Sequence, residues 1–249
     1  MSAADIVGAP ESSIALFAHP DDPDFMAGGT IARWTDAGCS VSYVIMTDGR
    51  AGTQGIGDDP MPEAELIRRR QEEQRTAGKL LGVEDIVFLD HHDGELFHTL
   101  ELRHQLVREI RKRKPEAAVL FDPRQRLLPG YVQHPDHWIS GEAALAAIFP
   151  LAGVRRAFTD LLADGLEPHA VRDIYLVSPL APNLRLDITA TIDRKIAAMQ
   201  AHRTQVADPA GLAERMSRAA QIVADGSPYE YAEAFHFTRR GERELVLEY

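Results

Sequence analysis

Short apolar runs alternate with longer segments of helical periodicity along most of the chain. Five runs rich in Val, Ile, Leu and Phe, over residues 14–18, 41–47, 85–89, 117–121 and 174–177, read as buried strands. Periodic segments over residues 30–37, 63–81 and 100–114 read as helices, closed by Gly38, Gly82 and Pro115. Glycine adopts the left-handed cap conformation at little cost, and proline cannot continue a helix. This alternation predicts an α/β fold, Rossmann-like, with a mostly parallel sheet flanked by helices. Beyond Tyr175 the pattern weakens into helical stretches over 189–205 and 209–224 and an extended stretch over 234–239, which together predict a C-terminal helical and strand extension packed on the core. With no long Ser/Pro/Gly linker and no internal repeat, residues 1–249 are expected to form one domain, its core about 13–178 and its extension about 179–249.

Charge narrows the partners. A formal net charge of -11 disfavours nucleic acid and anionic membrane surfaces as partners. The densest basic run, Arg108, Arg111, Lys112, Arg113 and Lys114, lies in the polar part of a helical pattern and is expected to be a solvated helix end. Cys39 is the only cysteine, so no intrachain disulfide forms, and a buried structural thiol in a reducing compartment is expected. Residues 1–13 lack the basic start and apolar core of a signal peptide, and no stretch approaches the roughly 20 apolar residues of a membrane span. A cytoplasmic location is the resulting expectation.

Two clusters carry the candidate chemistry. The first strand runs into Ala18-His19-Pro20-Asp21-Asp22, an imidazole and two carboxylates in a turn at the carboxyl edge of the sheet, where open α/β folds keep their ligand sites. Such a concentration of polar groups is costly unless water, hydrogen bonds or a metal satisfies it. Pro20 restricts the backbone between those groups, and Gly28-Gly29 is expected to let a helix begin close by. The second cluster, Gln133-His134-Pro135-Asp136-His137, opens a helix after the fourth strand, and its i, i+3 spacing puts His134 and His137 on one face. Two imidazoles and one carboxylate from these clusters suit a catalytic zinc, which keeps coordination open for water and substrate.

Other sites are weaker. No H-E-x-x-H, cysteine pair or EF-hand spacing is present, and Asp90-His91-His92-Asp93 has adjacent histidines that diverge on an extended loop, so His91 and His92 read as surface or pocket-wall residues. No phosphate-cradling glycine motif follows the first strand, and two carboxylates there have the wrong sign for a pyrophosphate. Nucleophilic Ser or Cys catalysis has no supporting motif. The glycine-rich residues 48–59 form either a lid or an ordinary solvent loop.

AHPDD after the first strand and HPDH at a later helix start resemble the PIG-L/LmbE-like zinc deacetylases, with the similarity running from about Ser13 to Gln205. Residues 192–205 resemble the family's late helix ending in His-x-Ser-Gln, with Thr204 in the serine position. The resemblance implies His19, Asp22 and His137 as metal ligands, Asp21 as general base, and His134 as an imidazolium that stabilises the oxyanion and assists protonation of the leaving amine. It also implies that Asp136 orients a histidine, although a carboxylate at a helix start has a structural use as well. Arg70 and Asp93 match positions near the bound sugar, with a helix-surface charge and a turn residue as the alternatives. Val132 and Gln133 occupy places where some members carry Tyr and others Asn, and Tyr131 is displaced by one.

The activity implied is hydrolysis of an N-acetylglucosamine-type amide in a soluble small molecule, with Zn2+ bound, or Fe2+ or Mn2+ in its place. An amidase acting on a thiol conjugate, a natural-product deacylase, and a non-catalytic binding protein on the same fold are the alternatives. Relatives that assemble make a homo-oligomer, hexamer or trimer, a further expectation.

Overall fold

The structure, a computed structural model, describes residues 8–52, 61–128 and 130–241. Most of the glycine-rich loop, residues 53–59, and residues 1–7 lie outside the described residues. The chain begins β1 (Ser12–Phe17), α1 (Asp22–Asp36), β2 (Ser40–Thr47), α2 (Glu63–Leu81), β3 (Asp85–His91), α3 (Leu100–Arg113) and β4 (Ala117–Phe121). A small hairpin, β5 (Leu127–Leu128) and β6 (Tyr131–Val132), leads into α4 (Pro135–Ile148), a 3-10 turn over Leu151–Gly153 and α5 (Thr159–Ala163). The remainder is β7 (Asp173–Val177), β8 (Leu184–Asp187), α6 (Ile192–Gln200), α7 (Pro209–Ala224) and β9 (Ala232–Arg239).

Seven strands form one mixed sheet in the order β3-β2-β1-β4-β7-β9-β8. The five strands read from sequence pair in parallel, while β9 runs antiparallel to both β7 and β8. The chain moves outward from β1 through β2 to β3 and then returns to the other side of β1 with β4. That reversal opens a crevice above the carboxyl ends of β1 and β4, the place where such sheets bind ligands. Alternation along β1 builds the core on both faces: Ile14 and Leu16 join the cluster under α3 and α4, whereas Ala15 and Phe17 join the cluster that includes Ile31, Trp34, Leu81 and Ala198.

Several expectations need correction. The residues after 178 do not merely pack on the core, because β8 and β9 extend its sheet. β8 escapes a periodicity reading because only Leu184 and Leu186 alternate inward over its four residues. The first helix begins at Asp22, well before residue 30, and breaks at Ala27 (φ -141°, ψ 15°). The glycines serve close packing rather than the start: a Cβ on Gly29 would lie 2.8 Å from Ile188. Arg111 is fully buried, not solvated, and its guanidinium donates to the carbonyls of Leu151, Ala152, Val154 and Ala157. Backbone oxygens thus satisfy its Nε and Nη2, while Nη1 is left without a hydrogen-bond partner among the described residues. Among the described residues, no helix is long and apolar enough to cross a membrane.

The extension also repairs the broken helix. Past the break, the N–H groups of Gly29 and Thr30 lack helical acceptors, and they donate to the carboxylate of Glu233 on β9 at 3.0 and 2.8 Å. Lys195 on α6 neutralises that carboxylate at 2.6 Å, and both side chains are buried. Removing one member of such a pair strands the other charge out of water. Glu233→Ala is therefore expected to cost about 3–5 kcal/mol, read in denaturant unfolding; a loss below about 1 kcal/mol would contradict this role.

Candidate active site

Both clusters are delivered by the sheet. Thr47 on β2 donates its N–H and hydroxyl to the Ala18 carbonyl at 2.8 and 2.9 Å, fixing the backbone as it leaves β1. His19 to Asp22 then turn into α1. On the neighbouring strand, β4 is followed by the hairpin and by His134, whose Nδ1 caps α4 by accepting the Asp136 N–H at 3.2 Å. Gly141 lets α4 press on the end of β4, since a Cβ there would come within 2.5 Å of the Phe121 carbonyl oxygen. Because β1 and β4 are hydrogen-bonded neighbours, the two motifs meet across their shared edge.

Three donors converge there. His19 Nδ1 lies 3.1 Å from His137 Nε2 and 3.4 Å from Asp22 Oδ2, and His137 Nε2 lies 3.2 Å from Asp22 Oδ1. A tetrahedral ion with zinc–ligand bonds near 2.05 Å requires ligand atoms about 3.3 Å apart; the two histidine nitrogens meet that spacing, while Asp22 approaches them through different oxygens. His134 also brings a ring nitrogen within 4.8 Å of the His19 and His137 donors. Its Nδ1 is occupied by the Asp136 N–H, which leaves Nε2 to face other groups.

Outer hydrogen bonds select the lone pairs. Asp93 Oδ1 and Asp136 Oδ2 approach His19 Nε2 at 3.1 and 3.4 Å, which favours a proton on Nε2 and, with a metal bound, would leave the Nδ1 lone pair facing Asp22 and His137. A second donor group of His19, Asp93, His134 and Asp136 is thereby explained as the carboxylate support of His19 rather than a second metal centre. Gln133 Oε1 accepts the His134 N–H at 3.3 Å and lies 3.0 Å from His137 Nδ1, which makes that nitrogen the donor and turns the Nε2 lone pair toward Asp22. Phe121 stacks on the His137 ring at 4.1 Å and 9°, fixing its plane.

Electrostatics favour a cation at this point. Burial alone would lower the His19 imidazole, but Asp22 and hydrogen bonds to Asp136, Asp22 and Asp93 raise it well above its ordinary value. Burial would raise Asp22, yet His137 and His19 hold it far below the usual carboxylate range. Burial would raise Asp93 and Asp136 as well, but the His19 hydrogen bond and charge, joined by Arg70 at Asp93 and by the Gly94 N–H at Asp136, together keep both low. An ion bound among these carboxylates would replace the proton that the bare site draws onto His19.

Asp21 differs from its neighbour. Its backbone takes φ 134° and ψ -34°, which turns its carboxylate toward Arg70 Nη2 at 3.2 Å while Asp22 faces the histidines. Burial raises the Asp21 carboxyl, against the pull of Arg70, and the nearby Asp22 charge adds to the rise. Burial and the neighbouring His19 charge lower the His134 ring, which favours a neutral donor over the expected imidazolium. The Nδ1 cap agrees with that state, because a proton on Nδ1 would oppose the Asp136 N–H.

Arg70 and Asp93 line the cavity, and their polar atoms turn mainly to protein, with Arg70 Nε left without a hydrogen-bond partner among the described residues. Arg70 donates to the Pro20 and Gly49 carbonyls at 2.9 and 2.7 Å and pairs with Asp21 and Asp93. Asp93 supports His19. The cavity, about 390 Å³, is completed by Phe25, Met26, Tyr131 and Gln205. Tyr131, shifted along the sequence, thus still reaches the mouth, where it is exposed. His91 turns to Gln105 at 2.7 Å and His92 is exposed, and neither lines the cavity. Sequence reasoning passed over Gln133 and Gln74 as supporting residues. Adjacency to the second motif could have found the first, and the i, i+4 spacing from Arg70 the second.

Residues 14–148 match the family model for PIG-L, described as GlcNAc-PI de-N-acetylase. Diacetylchitobiose deacetylase of Thermococcus kodakarensis is 36% identical over 187 residues, covering 75% of this chain and 67% of that protein. The probable N-acetyl-alpha-D-glucosaminyl L-malate deacetylase 2 of Bacillus anthracis is 28% identical, covering 78% of this chain and 81% of that protein. Among solved structures, N,N'-diacetylchitobiose deacetylase from Pyrococcus horikoshii, complexed with its inhibitor MPG, superposes with a TM-score of 0.82 at 31% identity, covering 92% of this chain and 84% of that one.

The Gln133 hydrogen bond generates a direct test of the donor trio. Gln133→Leu frees the His137 ring to take the wrong tautomer and is expected to weaken zinc binding about 10- to 100-fold in a competition titration against a chelator. Unchanged affinity would remove Gln133 from the site.

Proposed function

The chain belongs to the PIG-L family, and we propose that it hydrolyses the N-acetyl amide of a soluble N-acetylglucosamine-type amino sugar to acetate and a free amine, at a zinc centre held by His19, Asp22 and His137. The observation that carries this reading is the convergence of those three donors at 3.1 to 3.4 Å in a cavity that Asp21 and His134 also line. Two neutral imidazoles and one carboxylate suit Zn2+, and the same set accepts Fe2+ or Mn2+. When bound there, zinc supplies Lewis acidity, making water nucleophilic near neutral pH and polarising the amide carbonyl.

The side chains supply the rest. Asp21 accepts the proton that water loses as its oxygen bonds to the carbonyl carbon. Arg70 holds Asp21 Oδ2 throughout, which keeps the carboxylate oriented without a free rotor. His134, neutral and with Nδ1 occupied, donates its Nε2–H to the carbonyl oxygen as negative charge gathers there. Asp136 aligns that ring through its backbone N–H and supports His19 through its carboxylate. As the carbon–nitrogen bond breaks, protonated Asp21 returns its proton to the amine. Arg70 and Asp93 act on substrate through Asp21 and His19, while Tyr131, Gln205, Phe25 and Met26 offer the surfaces a sugar would touch. Support for a soluble amino sugar comes from the two curated relatives named as deacetylases of such compounds.

Acetate release from zinc-loaded protein over chito-oligosaccharides, N-acetylglucosaminyl malate and inositol conjugates, and N-acetylated thiol conjugates tests the proposal. Turnover is expected on at least one N-acetylglucosaminide, and silence across all of them would contradict it. Asp21→Asn is expected to lower kcat by about 10²- to 10⁴-fold with zinc content retained. The pH dependence has a definite sign as well. Because the folded Asp21 carboxyl is raised, activity falls as pH drops through a point above the ordinary aspartate range, where the acceptor becomes protonated. An acid limb that survives unchanged in the residual activity of Asp21→Asn would assign that limb to another group.

A further inference from the structure

We infer that Gln74 is a positioning residue for Asp21, an inference that rests on the reading of Asp21 as the proton acceptor. The peptide group between Pro20 and Asp21 is gripped at both of its ends by one helix. Arg70 Nη2 donates to the Pro20 carbonyl at 2.9 Å, and the Asp21 N–H donates to Gln74 Oε1 at 2.7 Å. Arg70 and Gln74 stand one turn apart on α2 and therefore share a face. Clamping that peptide plane sets the rotation about the Asp21 N–Cα bond, where φ is 134°, a value that a residue with a Cβ adopts only when its surroundings impose it. The same rotation decides that Asp21 and Asp22, adjacent in sequence, point to different partners.

Gln74 is itself locked. Its Nε2 donates to Asp24 Oδ2 at 2.8 Å, and that oxygen also meets His202 Nε2 at 2.7 Å, while Tyr43 donates to Asp24 Oδ1 at 3.1 Å. Gln74, Asp24, His202 and Tyr43 are each 0% exposed. A flipped amide would set its oxygen against the Asp24 carboxylate and its NH2 against the Asp21 N–H, two repulsive contacts in place of two hydrogen bonds. An apolar residue at 74 would strand the Asp21 N–H, and a carboxylate there would face Asp24. A neutral amide, oriented from the far side by Asp24, is the group this geometry requires.

The test is Gln74→Met in the zinc-loaded full chain, assayed for deacetylation together with Asp21→Asn and the double variant. Zinc stoichiometry and KM (within about threefold) are expected to hold while kcat falls about 10- to 100-fold; on the Asp21→Asn background the same change costs less than about threefold, because the residue it positions is already disabled. A crystal structure of Gln74→Met is expected to show Asp21 φ displaced from its present value. Gln74→Asn, one methylene too short to reach both partners, gives the same kcat-selective loss should Gln74→Met fail to fold. Equal losses on both backgrounds, an unchanged kcat, or an unmoved Asp21 would overturn the inference. Undiminished activity in Asp21→Asn would instead overturn the acceptor reading on which it rests.

Discussion

His19 meets Asp22 through one ring nitrogen and Asp93 and Asp136 through the other, and the edge of the sheet is organised around keeping those buried charges compensated. Carboxylates gathered this closely repel one another unless positive charge lies between them. Without a metal, the imidazole itself is pushed toward the protonated state to serve as that charge. A divalent cation bound at this cluster of histidines and carboxylates would do the same work, and the two histidine nitrogens already stand at a ligand–ligand separation.

Holding donors in place without metal falls to residues that never touch one. Asp93 and Asp136 hold the proton on the outer nitrogen of His19, and Gln133 and Phe121 hold the tautomer and plane of His137. Farther out, α2 reaches across with Arg70 and Gln74, while Glu233 from β9 caps the break in α1. The site is therefore only as well defined as elements drawn from nearly the full described length of the chain. Late segments serve the first motif: His202 and Lys195 lie more than a hundred residues after Asp24 and Gly29, yet both act on the helix that carries it.

The cavity divides its labour in a way that suits hydrolysis of one bond in varied molecules. Its floor is charged and committed to internal contacts, with Arg70 and Asp93 turned to Asp21, His19 and backbone oxygens. Its mouth carries Phe25, Met26, Tyr131 and Gln205, whose apolar and neutral polar surfaces leave room for different attached groups.

How much of this was legible beforehand follows from the range of the forces involved. All five parallel strands and α2 with its Gly82 stop were readable, because hydrophobic period and cap chemistry are local. So was the meeting of the His19–Asp22 turn with the His134–His137 helix start at one sheet edge, since strand-edge placement and donor type travel with the motif. β8, the break in α1 and the burial of Arg111 were not, for each depends on a surface that another segment supplies. The separate tasks of Asp21 and Asp22 lay beyond local reasoning too: resemblance suggested them, but a backbone rotation held by a helix fifty residues away turns the two carboxylates apart. By itself the sequence determined which groups were available and which sheet edge they would occupy. Tertiary structure decided which nitrogen carries a proton, which oxygen faces which cation, and which neutral amides hold them, because those choices rest on hydrogen bonds between residues that meet only after the chain has folded.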